Sequence, residues 1–424
     1  MFLVFYKVLS YLVFPILLLV IFYRKLINKE DPKRYKEKFL IYSSNQENIK
    51  DKEVIWIHAA SIGEVNSVLP LIKNIIKKND KLFVVLSSTT ITSSYLVKKF
   101  EINKENFAHC FFPFDYSFLI KKFLNIWNPK LIIFIDSEVW PVCLSEIKKR
   151  GKPLVLLNGR ITNKSFKRWK IISNSSKKIF SLYDLCLASS KESERNLNSL
   201  GAKNVKFLGN LKFCAEVEPK KLSIFTKLNK YNFWCAASTH QGEEIFFLKT
   251  QILLMKSNKN FKTIIIPRHI NRSDEILSLS KSLNLKSKIF NDLNEEMENY
   301  DVIIINSVGD IIKYYSLCRS IFMGKSLLKK LIKDGGQNPI EPAKCGCKIY
   351  HGPHVSNFAE IYDFLSKRDI AIKLENEKDL ERHLLRDFSE NNKLISNNLD
   401  DLNNYGSKLL LDTTNEVFKL KDEF

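Results

Sequence analysis

Short apolar runs rich in valine and isoleucine alternate along this chain with amphipathic runs of helical length. That is the pattern of βαβ units wound around a parallel sheet. The first half predicts strands at Val54–His58, Leu82–Ser87, His109–Phe112, Leu131–Ile135, Leu154–Asn158, Leu185–Ala188 and Val205–Leu208, with helices filling the gaps. Glu216–Lys221, which contains Pro219, breaks the rhythm, and a second series begins at Phe233–Ala237. It continues with Thr263–Ile266, Val302–Asn306, Ser320–Phe322 and Lys348–Tyr350. From about Asn357 onward the pattern is polar and helical, and reads as terminal packing helices. The expected fold class is α/β: two doubly wound, Rossmann-like domains facing a cleft. The boundaries fall at residues 1–25 for an apolar leader, 26–218 for the first domain and 219–424 for the second.

Met1–Tyr23 is apolar apart from Lys7 and Ser10, which approaches the roughly 20 residues needed to cross a bilayer. No small-residue cleavage site follows it, so it reads as a retained anchor helix and not as a signal peptide. Arg24, Lys25, Lys29, Lys33 and Arg34 follow the apolar run, against Lys7 alone within it. That bias predicts that the rest of the chain stays on the cytoplasmic side.

In doubly wound sheets ligands bind beyond the carboxyl ends of the strands, so chemistry is sought there. Ser61, Gly63 and Glu64 leave the first predicted strand, with small residues that admit a substrate and a carboxylate at the start of a helix. The helix end is expected to keep Glu64 ionised, as a general base needs, although a glutamate in a first helical turn is also an ordinary structural feature. His58 is expected to pack at the strand end. Asp136 and Glu138 close the fourth strand; Glu138 reads as an acceptor-side hydrogen-bonding group, Asp136 as structural, and metal ligation by the pair is disfavoured. In the second half, Ser238 or Thr239 can cap the next helix or accept a phosphate. Pro267-Arg268-His269 puts an arginine at a strand end, where it can pair with phosphate. Ser307, Val308 and Gly309 form a turn with free amides. Asp334-Gly335-Gly336-Gln337-Asn338-Pro339-Ile340-Glu341 permits close backbone approach, with Glu341 as an acceptor for ribose hydroxyls, and the turn His351–His354 can close the same pocket.

Composition changes this picture only in part. The net charge of +21 is spread along the chain, and no nucleic-acid module accompanies it, so nucleic acid is excluded as the expected partner. Lys164, Lys167, Arg168 and Lys170, set around Phe166 and Trp169, form a denser group suited to phosphates or lipid headgroups. Eight scattered cysteines without zinc-like spacing fit a reduced compartment.

Taken in order, the leader, Lys29-Glu30-Asp31-Pro32, the HAASIGE and SEVWP runs, Asn158-Gly159-Arg160, Gly209-Asn210-Leu211-Lys212-Phe213, AASTH, PRH and GGQNPIEP resemble the 3-deoxy-D-manno-octulosonic acid (Kdo) transferase family. The resemblance implies an inverting, GT-B-type glycosyltransferase of lipopolysaccharide biosynthesis at the bacterial inner membrane. Its donor would be CMP-Kdo, held by the second domain, and its acceptor the lipid A precursor (lipid IVA), held by the first. Glu64 becomes the catalytic base; Ser238, Pro267, Arg268, Ser307, Val308, Gly309, Asn338 and Glu341 contact the donor; Ser61, Gly63 and Glu138 support the acceptor side or the transition state. No cofactor and no metal are implied. Asp310, Lys325 and Gly159 depart from the family's usual glutamate, glycine and alanine, which bears on donor affinity more than on reaction type. The alternatives are another GT-B transferase acting on a membrane lipid and a silent membrane-surface binding protein; oligomeric state, the number of Kdo residues added and whether the anchor spans the membrane or lies in its interface are left open.

Overall fold

A computed structural model describes residues 2–422 except 42–48, 50, 101, 104, 308, 310, 333–334 and 390–392. The chain forms two compact units, Met1–Ala215 with Tyr405–Phe424, and Glu216–Asn404. Each is built on a seven-stranded sheet whose strand pairings are all parallel.

The first unit begins with helix α1 (Phe2–Leu26). Its sheet contains β1 (Glu53–His58), β2 (Leu82–Ser88), β3 (Phe107–Phe111), β4 (Leu131–Ile135), β5 (Leu154–Gly159), β6 (Leu185–Ala188) and β7 (Val205–Phe207), in the order β3-β2-β1-β4-β5-β6-β7. Helices cover both faces, which is why strands such as Leu131–Ile135 are apolar at every position and buried throughout. Trp56, Phe123 and Phe134 form the aromatic centre of this core, with the Trp56 ring 4.5 Å from that of Phe123.

The second sheet holds β8 (Asn232–Thr239), β9 (Phe261–Pro267), β10 (Ser287–Phe290), β11 (Val302–Ile305), β12 (Ser320–Met323), β13 (Lys348–His351) and β14 (Ala371–Lys373), ordered β10-β11-β9-β8-β12-β13-β14. Trp234, Phe247 and Phe322 anchor its core. In both sheets the strand order reverses beside the first strand of the unit, between β1 and β4 and between β8 and β12. Those are the switch points where such sheets open a ligand crevice.

Three elements differ from the sequence reading. β10 and β14 are short edge strands, Ser-Lys-Ile-Phe and Ala-Ile-Lys, too brief and polar to stand out from their surroundings, and β14 lies in a region expected to be helical. The C-terminal helix Lys393–Asp422, assigned by pattern to the second domain, has its Tyr405–Phe424 portion in the first unit. Leu409, Thr413, Val417 and Leu420 make a buried stripe at helical spacing, and Lys206–Glu416 and Lys421–Glu53 ion pairs, both 2.6 Å, fix it there.

Candidate active site

At the first switch point the chain leaves β1 through Ala59-Ala60-Ser61 and enters helix α2 (Ile62–Lys78). Ser61 caps this helix: its hydroxyl oxygen accepts from the Glu64 amide at 3.4 Å and its hydroxyl donates to Glu64 Oε1 at 2.8 Å. Glu64 Oε2 in turn accepts from the Ala60 amide at 2.7 Å. This is a capping box shifted by one residue, so the carboxylate is both a helix-start group and a side chain locked over the end of β1. Gly63 is exposed, with open space where a Cβ would stand.

The environment of Glu64 corrects one expectation. Burial raises its pKa; the Ser61 hydroxyl and Ala60 amide pull it down, while Asp136 and Glu138 push it up, and the net result is about 7. Desolvation and two neighbouring carboxylates outweigh the helix end that was expected to keep it ionised. A half-protonated carboxylate near neutral pH is well matched to proton transfer.

The two carboxylates from β4 turn to different partners. Asp136, with φ +61°, accepts from Asn158 Nδ2 at 3.5 Å; burial raises its pKa against the pull of Lys212 and Arg160. Asn158 Oδ1 also receives the Leu211 amide at 2.9 Å, so the Gly209–Phe213 motif is docked here. Glu138 accepts from Trp140 Nε1 at 2.7 Å and lies 3.6 Å from His58 Nε2; burial works to raise its pKa, but His58 and Trp140 hold it below the usual value. His58 is fully buried against Phe112, with Nδ1 3.0 Å from Ser87 Oγ, and so buttresses Glu138 from inside the core.

The second switch point is organised by a residue to which the sequence reading gave no role. Glu243 is completely buried, and its carboxylate accepts four backbone amides: His240 (2.9 Å) and Lys325 (2.6 Å) on Oε2, Ser326 (2.7 Å) and Leu327 (3.0 Å) on Oε1. It ties the turn after β8 to the turn after β12. Lys325 has φ +60°, the left-handed conformation for which glycine is the natural residue, and its amide donates to this carboxylate. Gly324 lies so close to β8 that a Cβ would sit 2.6 Å from the Ser238 carbonyl oxygen. Gly335 is wedged in the same way: a Cβ there would stand 2.2 Å from the His354 oxygen, and the Asn357 amide donates to the Gly335 carbonyl at 3.0 Å. The turns at 324–327, 335–338 and 352–357 therefore form one cluster, the arrangement expected for the Gly-Gly motif and the His351–His354 turn.

Ser238 also has positive φ, +56°, at an irregularity between β8 and β9, and neither Ser238 nor Thr239 caps the following helix. Thr239 Oγ1 instead donates to Glu244 Oε1 at 2.9 Å, and Arg272 clamps the same carboxylate. Pro267 is buried; Arg268 is exposed at the end of β9, its amide bonded to the Thr239 carbonyl at 3.0 Å and its side chain turned to solvent. Ser307 is half-buried and Gly309 exposed in the turn after β11. Val308, Asp310 and Asp334 lie outside the described residues. Asn338 Oδ1 caps its own turn, accepting from the Ile340 amide at 3.2 Å, and Glu341 stands half-buried in the first turn of helix Ile340–Lys344.

Two doubly wound units, each with polar residues at a switch point, define a scaffold of the GT-B type. The chain shares this fold with the Anabaena protein Alr3699/HepE in complex with UDP (TM-score 0.58, 12% identity, 87% of this chain and 100% of that one). Residues 33–215 match the family model of 3-deoxy-D-manno-octulosonic-acid transferase (kdotransferase). The 3-deoxy-D-manno-octulosonic acid transferase of Rickettsia bellii (strain RML369-C) is 32% identical over 419 residues, covering 94% of this chain and 97% of the relative. The Haemophilus influenzae transferase of the same name is 30% identical over 319 residues, 73% of each chain. The chain belongs to the Kdo transferase family and is a glycosyltransferase.

Proposed function

We propose that this protein transfers Kdo from CMP-Kdo to the lipid A precursor, lipid IVA, with inversion at the anomeric carbon and Glu64 as general base. Glu64 takes the proton of an acceptor hydroxyl as the oxygen attacks the anomeric carbon. The bond to the CMP phosphate breaks, and its electron pair leaves on the phosphate oxygen. Arg268, free to reach into solvent from the end of β9, offsets that charge, together with the amides around Ser238 and the turn at Ser307–Gly309. Asn338 and Glu341 hold the nucleoside. Ser61 and Gly63 shape the approach to the base, and Glu138, kept ionised by Trp140 and His58, steadies the acceptor and the oxocarbenium-like transition state.

One observation carries this reading: a carboxylate with a pKa of about 7, hydrogen-bonded in place at the switch point of the first sheet. Membership of the family supports the choice of sugar and of acceptor. Helix α1, long and apolar enough to cross a membrane by length and composition, supports an anchor, which we read as seated in the inner membrane, and the cations Arg24, Lys25, Lys29, Lys33 and Arg34 after it favour a cytoplasmic location for the rest of the chain. Exposed Lys164, Lys167, Arg168 and Lys170, carried on Phe166 and Trp169 packed against the core, would meet acceptor phosphates or headgroups. The test is product mass from the purified chain with CMP-Kdo and lipid IVA, with CMP, UDP and GDP as competitors. Kdo-bearing product and inhibition by CMP alone are expected; inhibition by UDP or GDP with no Kdo product would assign another donor.

A further inference from the structure

The sequence leaves open whether α1 crosses the membrane or lies in its interface, and the surroundings of the helix bear on that choice. Lys7 Nζ pairs with Glu146 at 3.2 Å, Tyr6 hydrogen-bonds Asp115, and the Tyr116 hydroxyl donates to the Ser10 carbonyl at 2.9 Å. The Phe14 and Tyr11 rings meet Tyr116 edge-on at 5.0 and 5.6 Å, Phe14 and Leu17 pack on the first core, and Ile21 is buried. Arg24 continues the line to Glu30 at 2.7 Å. Lys7, Ser10, Phe14, Leu17, Ile21 and Arg24 recur every three or four residues, with Tyr6 beside the first, so one face of the helix rests on its own unit for roughly 27 Å. The opposite face is apolar and open, with Leu12 71% and Leu19 69% exposed.

We infer that α1 lies in the plane of the membrane as a monotopic helix, its docked face on the first unit and its open face in one leaflet of an anionic bilayer. A crossing orientation would draw Asp115, Glu146 and Lys149, which sit against or beside the docked face, into hydrocarbon. An in-plane orientation leaves them at the headgroups. The Lys7 and Ser10 side chains are turned to protein, so no charged side chain is presented to lipid from the middle of the helix. Exposed Phe118, whose ring is 6.2 Å from that of Tyr116, extends the apolar surface, and exposed Lys121, Lys122 and Lys149 on the supporting helices Ser117–Trp127 and Pro141–Lys149 supply charge for anionic headgroups.

This inference rests on the membrane-anchor reading above, and one preparation tests both. The full chain carrying Cys345→Ser is reconstituted in phosphatidylethanolamine and phosphatidylglycerol vesicles. Single spin-labelled cysteines replace Phe5, Leu9, Leu12, Ile16, Leu19 or Phe22, and their depth is read from oxygen and nickel-chelate accessibility. All six labels are expected within about 5 Å of one depth, near the headgroup–acyl boundary. A helix that crosses would place Leu12 roughly 10 Å deeper than Phe5, and such a profile overturns the inference while sparing the anchor. Failure of the chain to float with vesicles overturns both.

Discussion

Replacing Glu64 by glutamine separates the proposed catalytic role from folding, because the environment that suits this carboxylate to proton transfer also disfavours its ionised form. Its pKa rises from 4.5 to about 7 in the folded state. At about 1.4 kcal/mol per unit, roughly 3 kcal/mol stands against the ionised form, an upper bound for a group that retains some contact with solvent. The sign follows from linkage: the folded chain binds this proton more tightly than the unfolded chain, so stability from this group is fully present below pH 4.5 and is lost as the pH rises through 7. A glutamine has no proton to lose, and its amide can still accept from the Ala60 amide and meet Ser61 Oγ. Glu64→Gln is therefore expected to match the wild type near pH 4 and to exceed it at pH 8 by about 1–3 kcal/mol, a rise of several degrees in the melting of the first unit. Transfer by the same variant should fall by about 10²–10⁴-fold with CMP affinity unchanged. Calorimetry at pH 4.5 and 8, beside a transfer assay, reads both. A variant that transfers within tenfold of the wild type removes Glu64 from the mechanism, and one no more stable at pH 8 shows that the carboxylate is not perturbed as described.

The wild-type kcat/KM should show an acid limb with an apparent pKa near 7, falling roughly tenfold per pH unit below it, and a limb near 4.5 would contradict the burial of Glu64. Arg268→Ala should weaken CMP binding by about 10–100-fold by titration while leaving the melting temperature in place, since the side chain is exposed and only its amide is tied to β8. Glu243→Gln replaces two acceptor oxygens by one, so at least one pair of amides among His240, Lys325, Ser326 and Leu327 loses its acceptor; a loss of about 2–4 kcal/mol in the second unit, seen as faster hydrogen exchange at residues 325–327, is expected. Lys325→Gly should stabilise the same turn by about 1 kcal/mol in urea unfolding, the cost of holding a lysine at φ +60°.

How far these residues could be read from sequence depends on the range of the interactions that define them. Central strands such as Leu131–Ile135 are legible because burial on both faces demands an unbroken apolar run, whereas β10 and β14, at the sheet edges, bury less and carry lysines. The place of Glu64 is legible for a local reason, small residues and a carboxylate where a predicted strand gives way to a helix, while the cap that Ser61 makes there is seen in its hydrogen bonds. The pKa of Glu64 is not legible. Burial, the main cause of its rise, is a property of the packed fold, and Asp136 and Glu138, which add to it, arrive from another strand more than 70 positions away, brought alongside by the sheet order β1-β4. Glu243 was hidden for the same reason: its partners at 325–327 come from across the switch point, and four backbone amides leave no signature in side-chain types. The departure at Lys325, by contrast, was visible as an unusual residue, and the backbone supplies its meaning, a left-handed turn built for glycine and held here by a buried carboxylate. The two halves thus solve different electrostatic problems with one topology: the first buries one carboxylate beside two others, which lifts its pKa to about 7, and the second uses the fully buried carboxylate of Glu243 to fix the shape of its loops through four backbone amides.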